Sequence, residues 1–312
     1  MKAVRCKDHK ACLAHVPAPA GEGVRVRIAA AGICGSDLHM IAMGFPLPFT
    51  LGHEISGVTD NGTAVAVEPI AACGHCACCQ RGEYNLCTLG SQTVLGVGQD
   101  GGMAEEMIVP ERCLVPLPSN LAVHDACLVE PLAVAVHGIA MVRPAHRDRV
   151  AVVGGGTIGL CAVAIARLAT REVCLLARHD RQKAAGERLG ATLQPTGEYD
   201  LVIDCAGTSE SLAEAVRLCR PGATVLLLAT YWAGLTLPAF EFSMKQLRIV
   251  SSASYCRQGL SRDVDVAAAA MAMNPRIAEC LITHRLPLDA AEEAFAIAAD
   301  RKGGAIKVTI NP

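Results

Sequence analysis

The chain has no run of lysines or arginines, and 28 basic against 30 acidic side chains leave it with a formal charge of -2 and a pI near 6.5. That balance excludes nucleic acid and anionic membrane surfaces as expected partners. The opening MKAVRCKDHK lacks the apolar stretch of a secretory signal. The longest apolar run, Val150 to Ala169, carries four glycines at its front and Arg167 near its end. It reads as strand–turn–helix and not as a membrane span. Internal repeats are missing, and the one biased tract is AAAAMAM at 267–273. Aromatics are scarce at 3%, so their placement beside predicted loops carries weight: Phe45, Phe49, Tyr231 and Trp232 are candidate walls of an apolar pocket.

Cysteine is what the chain does have, with sixteen in 312 residues. Most are scattered singly (Cys12, Cys113, Cys161, Cys205, Cys280), as in a reduced cytoplasmic protein that uses cysteine as a small hydrophobe. Four are different. Cys73, Cys76, Cys79 and Cys87 follow a C-x2-C-x2-C-x7-C spacing within CGHCACCQRGEYNLC. Four thiolates this close can converge tetrahedrally on one ion, and an all-sulfur set with no open position is a structural zinc site. Gly74, Gly82 and Asn85 tolerate the tight turns such a lobe needs. Cys78, a fifth thiol, falls at a spacing that points it away from the metal.

Length implies two domains or one large one. Residues 1–120 hold short β-branched runs among Gly and Pro, such as VRVRIAAAGI and AVAVEPI, which predict mostly antiparallel β structure. From Val150 short apolar strands (RVAVVG, EVCLLA, DLVIDCAG, ATVLLLA, QLRIVSS) alternate with helical stretches. That alternation predicts right-handed βαβ units and a doubly wound parallel sheet over 121–282. The closing segment, 283–312, ends in AIKVTI and returns in style to the first domain.

Gly154, Gly156 and Gly159 form G-x-G-x-x-G between the strand RVAVV and the helix TIGLCAVAIARLA. Such a loop binds a dinucleotide: the glycines permit the turn and close backbone approach, and the helix start around Thr157 and Ile158 offers N–H groups to the pyrophosphate. An NAD site wants an acid at the end of the next strand, where this chain has Ala177, Arg178 and His179. Arg178 with Arg181 can clamp a ribose 2′-phosphate, so NADP(H) is favoured over NAD(H). Asp180, the nearest acid, falls three residues late.

A second metal set is spread along the chain: Cys34 in GICGSDLH, His53 and Glu54 in LGHEISG, and Glu130 in LVEPLAVAVHG. A thiolate, an imidazole and a carboxylate from separate segments make a three-ligand zinc site with an open position for substrate.

Together these motifs, with DGGMAEEMIVP and VVGGGTIGL, resemble the zinc-dependent medium-chain alcohol and polyol dehydrogenases over nearly the whole chain. The resemblance implies a GroES-like β-rich catalytic domain joined to a Rossmann domain, an α/β protein holding two zinc ions. It implies Cys34 and His53 as catalytic zinc ligands with Glu54 or Glu130 as the third, Ser36 and His39 as a proton relay, and Asp37 as the residue holding the loop. It implies hydride transfer between a nicotinamide cofactor and a small alcohol or ketone. By the same analogy the strand near Leu247–Ser251 pairs across a two-fold axis, giving a homodimer or homotetramer. VAVEP, SYC at 254–256 and THRLPL at 283–288 lean towards the polyol branch. Ser254, however, stands where sorbitol-type enzymes carry arginine, which puts ordinary sugar-alcohol recognition in question. The chain is also short for the family. A hairpin after GHE and a helix between LGA (189–191) and DLVIDCAG are expected to be missing. Two other readings stay open: a reductase of C=C or C=N bonds on the same scaffold, and a non-catalytic zinc or nucleotide sensor. The first would lack the relay or a metal ligand, and the second would lack the open-site ligands.

Overall fold

The computed structural model describes residues 1–300 and 302–312. In chain order, the hairpin of β1 (Lys2–Lys7) and β2 (Lys10–His15) is followed by β3 (Val24–Gly32), α1 (Gly35–Ala42), β4 (Glu54–Thr59), β5 (Ala64–Val67), α2 (Ala77–Gln80), β6 (Glu106–Val109) and β7 (Leu114–Pro116). Then come α3 (Val129–Val142), β8 (Arg149–Val153), α4 (Thr157–Ala169), β9 (Glu172–Leu176), α5 (Asp180–Arg188), β10 (Tyr199–Asp204), α6 (Ser209–Leu218), β11 (Cys219–Leu227), α7 (Ala239–Met244) and β12 (Arg248–Ser251). A short hairpin, β13 (Arg257–Gln258) and β14 (Ser261–Arg262), leads to α8 (Asp263–Met273), α9 (Arg276–Leu281), β15 (Ile282–Pro287), α10 (Ala291–Ala299) and β16 (Lys307–Asn311). Among the described residues no helix is long and apolar enough to cross a membrane.

Two units result. The first comprises Met1–Glu130, Cys256–Ala278 and Ile282–Pro312. The division therefore falls at 130 and 255, not at the 120 and 282 expected from composition. The segment after Cys256 joins the first unit through charge. Arg262 reaches the buried Glu68 at 3.2 Å and donates to the carbonyls of Arg112 and Leu114. A seven-stranded sheet runs β15-β16-β3-β4-β5-β7, with β6 on β3. Its β3–β4 ladder pairs Gly32 with Glu54 and Ala31 with Ile55, bringing the Cys34 and His53 segments to one end of two neighbouring strands. The sheet core is Val26, Ile28, Ile55, Val65, Val67, Met107 and Val109.

The second unit, Pro131–Tyr255 with Glu279–Leu281, holds a five-stranded parallel sheet in the order β12-β11-β10-β8-β9. Its strands read as unbroken apolar runs because both faces are covered: Val150, Ala151, Val152 and Ile203 are fully buried. A doubly wound sheet runs 3-2-1-4-5-6, and here the third position is reduced to one bridge, Cys174 to Thr192. The shortening removes a strand as well as the helix. Residues 192–199 seal the gap around Arg149, which donates to the carbonyls of Thr196 and Glu198, pairs with Glu172 and lies 4.8 Å over the Tyr199 ring. The link between β4 and β5 is likewise short, only residues 60–63.

Candidate active site

Asp37 organises the first cluster. Cys34 is the N-cap of α1 and donates its N–H to Asp37 Oδ2 at 3.0 Å. Oδ1 of the same carboxylate lies 3.4 Å from Nδ1 of His53. The carboxylate is fully buried, and His53 is 7% exposed. With Nδ1 held this way, the other ring nitrogen, Nε2, faces Ser36 Oγ at 3.3 Å. Burial by itself would push the His53 pKa down. The charges of Asp37 and Cys34 reverse this and hold it well above the usual histidine value. A carboxylate that orients a ligating histidine is a recurrent support for zinc, and the thiol and imidazole beside it suit that ion.

The carboxylates behave differently from each other. Glu54 turns one oxygen to Lys307 Nζ, 2.6 Å away in a pocket where both side chains are almost wholly buried. Lys307 also donates to the carbonyl of Ile33 at 2.8 Å. Burial would depress the ammonium pKa, but the Glu54 and Cys34 charges raise it above the ordinary lysine value. The other Glu54 oxygen lies against Gly32, where a Cβ would collide with it. Glu130 opens α3, half-buried. Among the described residues Cys34, His53 and the two glutamates do not bring three donor atoms within 4.8 Å of one another. The pull of Lys307 on Glu54 is the physical reason that carboxylate stands aside. His39 follows Ser36 by one turn of α1, with Nδ1 2.7 Å from the carbonyl of Gly35. Of the aromatic candidates, Phe45 is 46% exposed in the loop after α1, and Phe49 is half-buried.

The cysteine lobe is gathered tightly: one sulfur each from Cys73, Cys76, Cys79 and Cys87 lies within 4.8 Å of all the others. Cys76 is the N-cap of α2, and Cys79 lies on that helix. Backbone N–H groups of Cys79 and Thr88 lower the Cys76 pKa, and those of Cys73 and Leu89 lower that of Cys87. Burial raises Cys79. Four sulfurs with amide support form a donor set that fits one zinc ion. Cys78 stands outside it, with Arg81 Nη2 3.6 Å from its sulfur.

In the second unit Gly154 adopts φ +107, in the region that favours glycine, and a Cβ on Gly159 would strike the carbonyl of Gly154. Strand and helix thus close as a phosphate loop requires. At the carboxyl end of β9 a cavity of about 490 Å³ is lined by Leu175, Leu176, Ala177, Arg178, Lys183, Leu193 and Gln194. Arg178 lines it. Arg181 is exposed and does not; Lys183, missed from the sequence, does, with its Nζ 3.0 Å from Asp180. Its place one turn into α5 on the Arg178 side was the available signal. His179 caps α5, sharing a reciprocal pair of contacts with Gln182. The Tyr231 hydroxyl turns inward to donate to Asp204 at 2.7 Å.

A β-rich unit with a Cys–His–carboxylate cluster and a four-cysteine lobe, and a parallel sheet with a glycine loop, define a zinc-binding nucleotide-dependent dehydrogenase. Residues 20–119 match the alcohol dehydrogenase GroES-like domain, and residues 157–269 match the zinc-binding dehydrogenase domain. The chain is 31% identical to L-galactonate-5-dehydrogenase of Escherichia coli K12, over 90% of this chain and 89% of that one. It is 29% identical to L-idonate 5-dehydrogenase of Vitis vinifera, over 92% and 87%. Among solved structures, a protein of Sinorhizobium meliloti 1021 described as a zinc-binding dehydrogenase, with NADP bound, superposes with a TM-score of 0.87 at 29% identity, covering 100% of this chain and 99% of that one. A short chain alcohol dehydrogenase (rspB) from E. coli CFT073, complexed with NADH, gives 0.86 at 27% identity, with the same coverage. The chain belongs to the zinc-dependent medium-chain alcohol and polyol dehydrogenases, and it is an NAD(P)-dependent oxidoreductase.

Proposed function

We propose that the chain interconverts a secondary alcohol of a small polyol or sugar acid and the corresponding ketone, using NADP(H) in preference to NAD(H). The observation that carries this reading is the single buried carboxylate, Asp37, that holds Cys34 by its amide and His53 by Nδ1. Cys34, His53 and Glu130 would hold the catalytic zinc, with Glu54 kept beside it by Lys307; the four cysteines would hold the structural one. When bound, zinc supplies Lewis acidity towards the substrate oxygen, and the dinucleotide supplies the hydride acceptor or donor. The residues of the chain do the rest. Ser36 accepts the substrate proton at Oγ and passes its own towards the His39 imidazole. Gly154, Gly156, Thr157, Ile158 and Gly159 seat the pyrophosphate. Arg178, joined by Lys183, meets the 2′-phosphate, with no carboxylate at 177–179 to repel it. Both named relatives act, by their names, on C5 of a sugar acid, which supports a polyhydroxylated substrate. The outer edge of β12, at the end of its sheet, suits pairing with a second copy in a cytoplasmic homo-oligomer.

The test is oxidation of NADPH against NADH over a panel of ketones, aldehydes and keto sugar acids, with zinc assayed alongside. Faster turnover with NADPH and about two zinc ions per chain is the expected result. Equal or better use of NADH would overturn the cofactor preference, and one zinc ion with no turnover would overturn the dehydrogenase site.

A further inference from the structure

Asp204, the last residue of β10, is a fully buried carboxylate. It is saturated with donors. Oδ1 accepts the N–H groups of Ala206 at 2.9 Å and Gly207 at 3.3 Å. Oδ2 accepts the hydroxyls of Ser211 at 2.9 Å and Tyr231 at 2.7 Å. Its own carbonyl takes the N–H groups of Leu228 and Ala229. One residue therefore joins three segments: the turn 205–207, the start of α6 and the loop 228–238.

That turn touches the nucleotide site on one side and the loop on the other. A Cβ on Gly154 would lie 3.1 Å from Ala206, so the turn walls the phosphate loop. A Cβ on Gly207 would lie 3.0 Å from Ala229 Cβ and from the carbonyl of Thr230. The loop follows β11, two strands from β8 and on the side away from β9. In a doubly wound sheet the adenosine half of the dinucleotide lies towards β9, and the nicotinamide half lies over the strands beyond β8. The loop is therefore placed at the nicotinamide half. Its farther part is tied by the N–H of Thr236 to Ser209 Oγ and by Leu237 packed on the core.

We propose that Tyr231 is a positioning residue for the dinucleotide: by bonding Asp204 it locks the loop 228–238 to the turn that walls the phosphate loop. Loop order and nucleotide binding are then one equilibrium, and each stabilises the other. This rests on the dinucleotide reading of the glycine loop. The neighbouring Trp232 is the only tryptophan in the chain, so its fluorescence reports on this loop alone.

The experiment titrates the zinc-loaded enzyme with NADPH and NADH, following Trp232 emission, in wild type, Tyr231→Phe and Ser211→Ala. A hydrogen bond to a charged group lost from the loop should raise the Kd of the preferred nucleotide by about tenfold in Tyr231→Phe. Its emission should shift to the red, with kcat at saturating nucleotide and zinc content close to wild type. Ser211→Ala removes a bond to the same carboxylate without freeing the loop, so it should lower Tm and leave Kd alone. An unchanged Kd in Tyr231→Phe, or an equal rise in Ser211→Ala, overturns the proposal. Hydrogen exchange at 229–236 in wild type gives a check that needs no variant: nucleotide should slow it, and unchanged exchange also overturns the proposal. If wild type binds neither nucleotide, the dinucleotide reading itself fails, which the titration distinguishes from failure of the tether.

Discussion

Asp37 and Lys307 show how single side chains set the cluster around Cys34, His53 and Glu54. Asp37 contacts both Cys34 and His53, so Asp37→Asn should weaken zinc retention or activity by about 10–100-fold while the protein still folds. Zinc content after dialysis against a weak chelator, read beside kcat, checks this. Retention equal to wild type would show that the carboxylate is dispensable. Lys307 neutralises a glutamate that is 1% exposed. Lys307→Met leaves that charge buried without a partner, which costs about 3–5 kcal/mol. Calorimetry should show a large drop in Tm, and Lys307→Arg should recover part of it.

The elements divide into those legible in the sequence and those that are not. The four-cysteine lobe and the glycine loop were legible because each is contiguous, and its residue types have one geometric use. In the lobe, Cys79→Ser should lower Tm, because a zinc ion held there would contribute folding free energy; a chelator should reproduce the loss, and an unchanged Tm would remove the structural role. The merger of Cys256–Ala278 with the first unit was not legible, since it depends on Arg262 meeting Glu68, 194 residues away. Nor was the inward turn of Tyr231, because a hydroxyl aimed at a buried carboxylate and one lining a pocket read alike along the chain. In the parallel sheet, Asp200 of β10 accepts from the Arg149 amide and the Arg220 side chain. Burial alone would raise its pKa, but those bonds and the Arg220 charge outweigh burial and lower it. The folded value lies below the unfolded one, near 3.9. The carboxylate therefore stabilises the fold above that pH, and the contribution is lost as pH falls through the folded value. Asp200→Asn should flatten the acid limb of the Tm–pH curve and leave the limb above neutrality unmoved.

At the scale of the whole molecule, the two-unit plan was readable from a change of pattern, antiparallel runs first and βαβ alternation after. The boundaries were not, because composition changes ten residues before the contacts do. The omission of the third strand of the parallel sheet has a consequence for how the protein fails. Val173, Cys174 and Leu175 form a buried apolar edge, and the cover over it is a loop joined to it through Thr192 and pinned at Thr196 and Glu198 by Arg149. An uncovered strand edge is a template for other chains. Arg149→Ala should thus change the outcome of heating, turning recoverable unfolding into intermolecular β aggregation. Light scattering during a thermal ramp, followed by the refolded yield on cooling, measures it: full recovery in the variant would show that the loop guards the edge without the arginine.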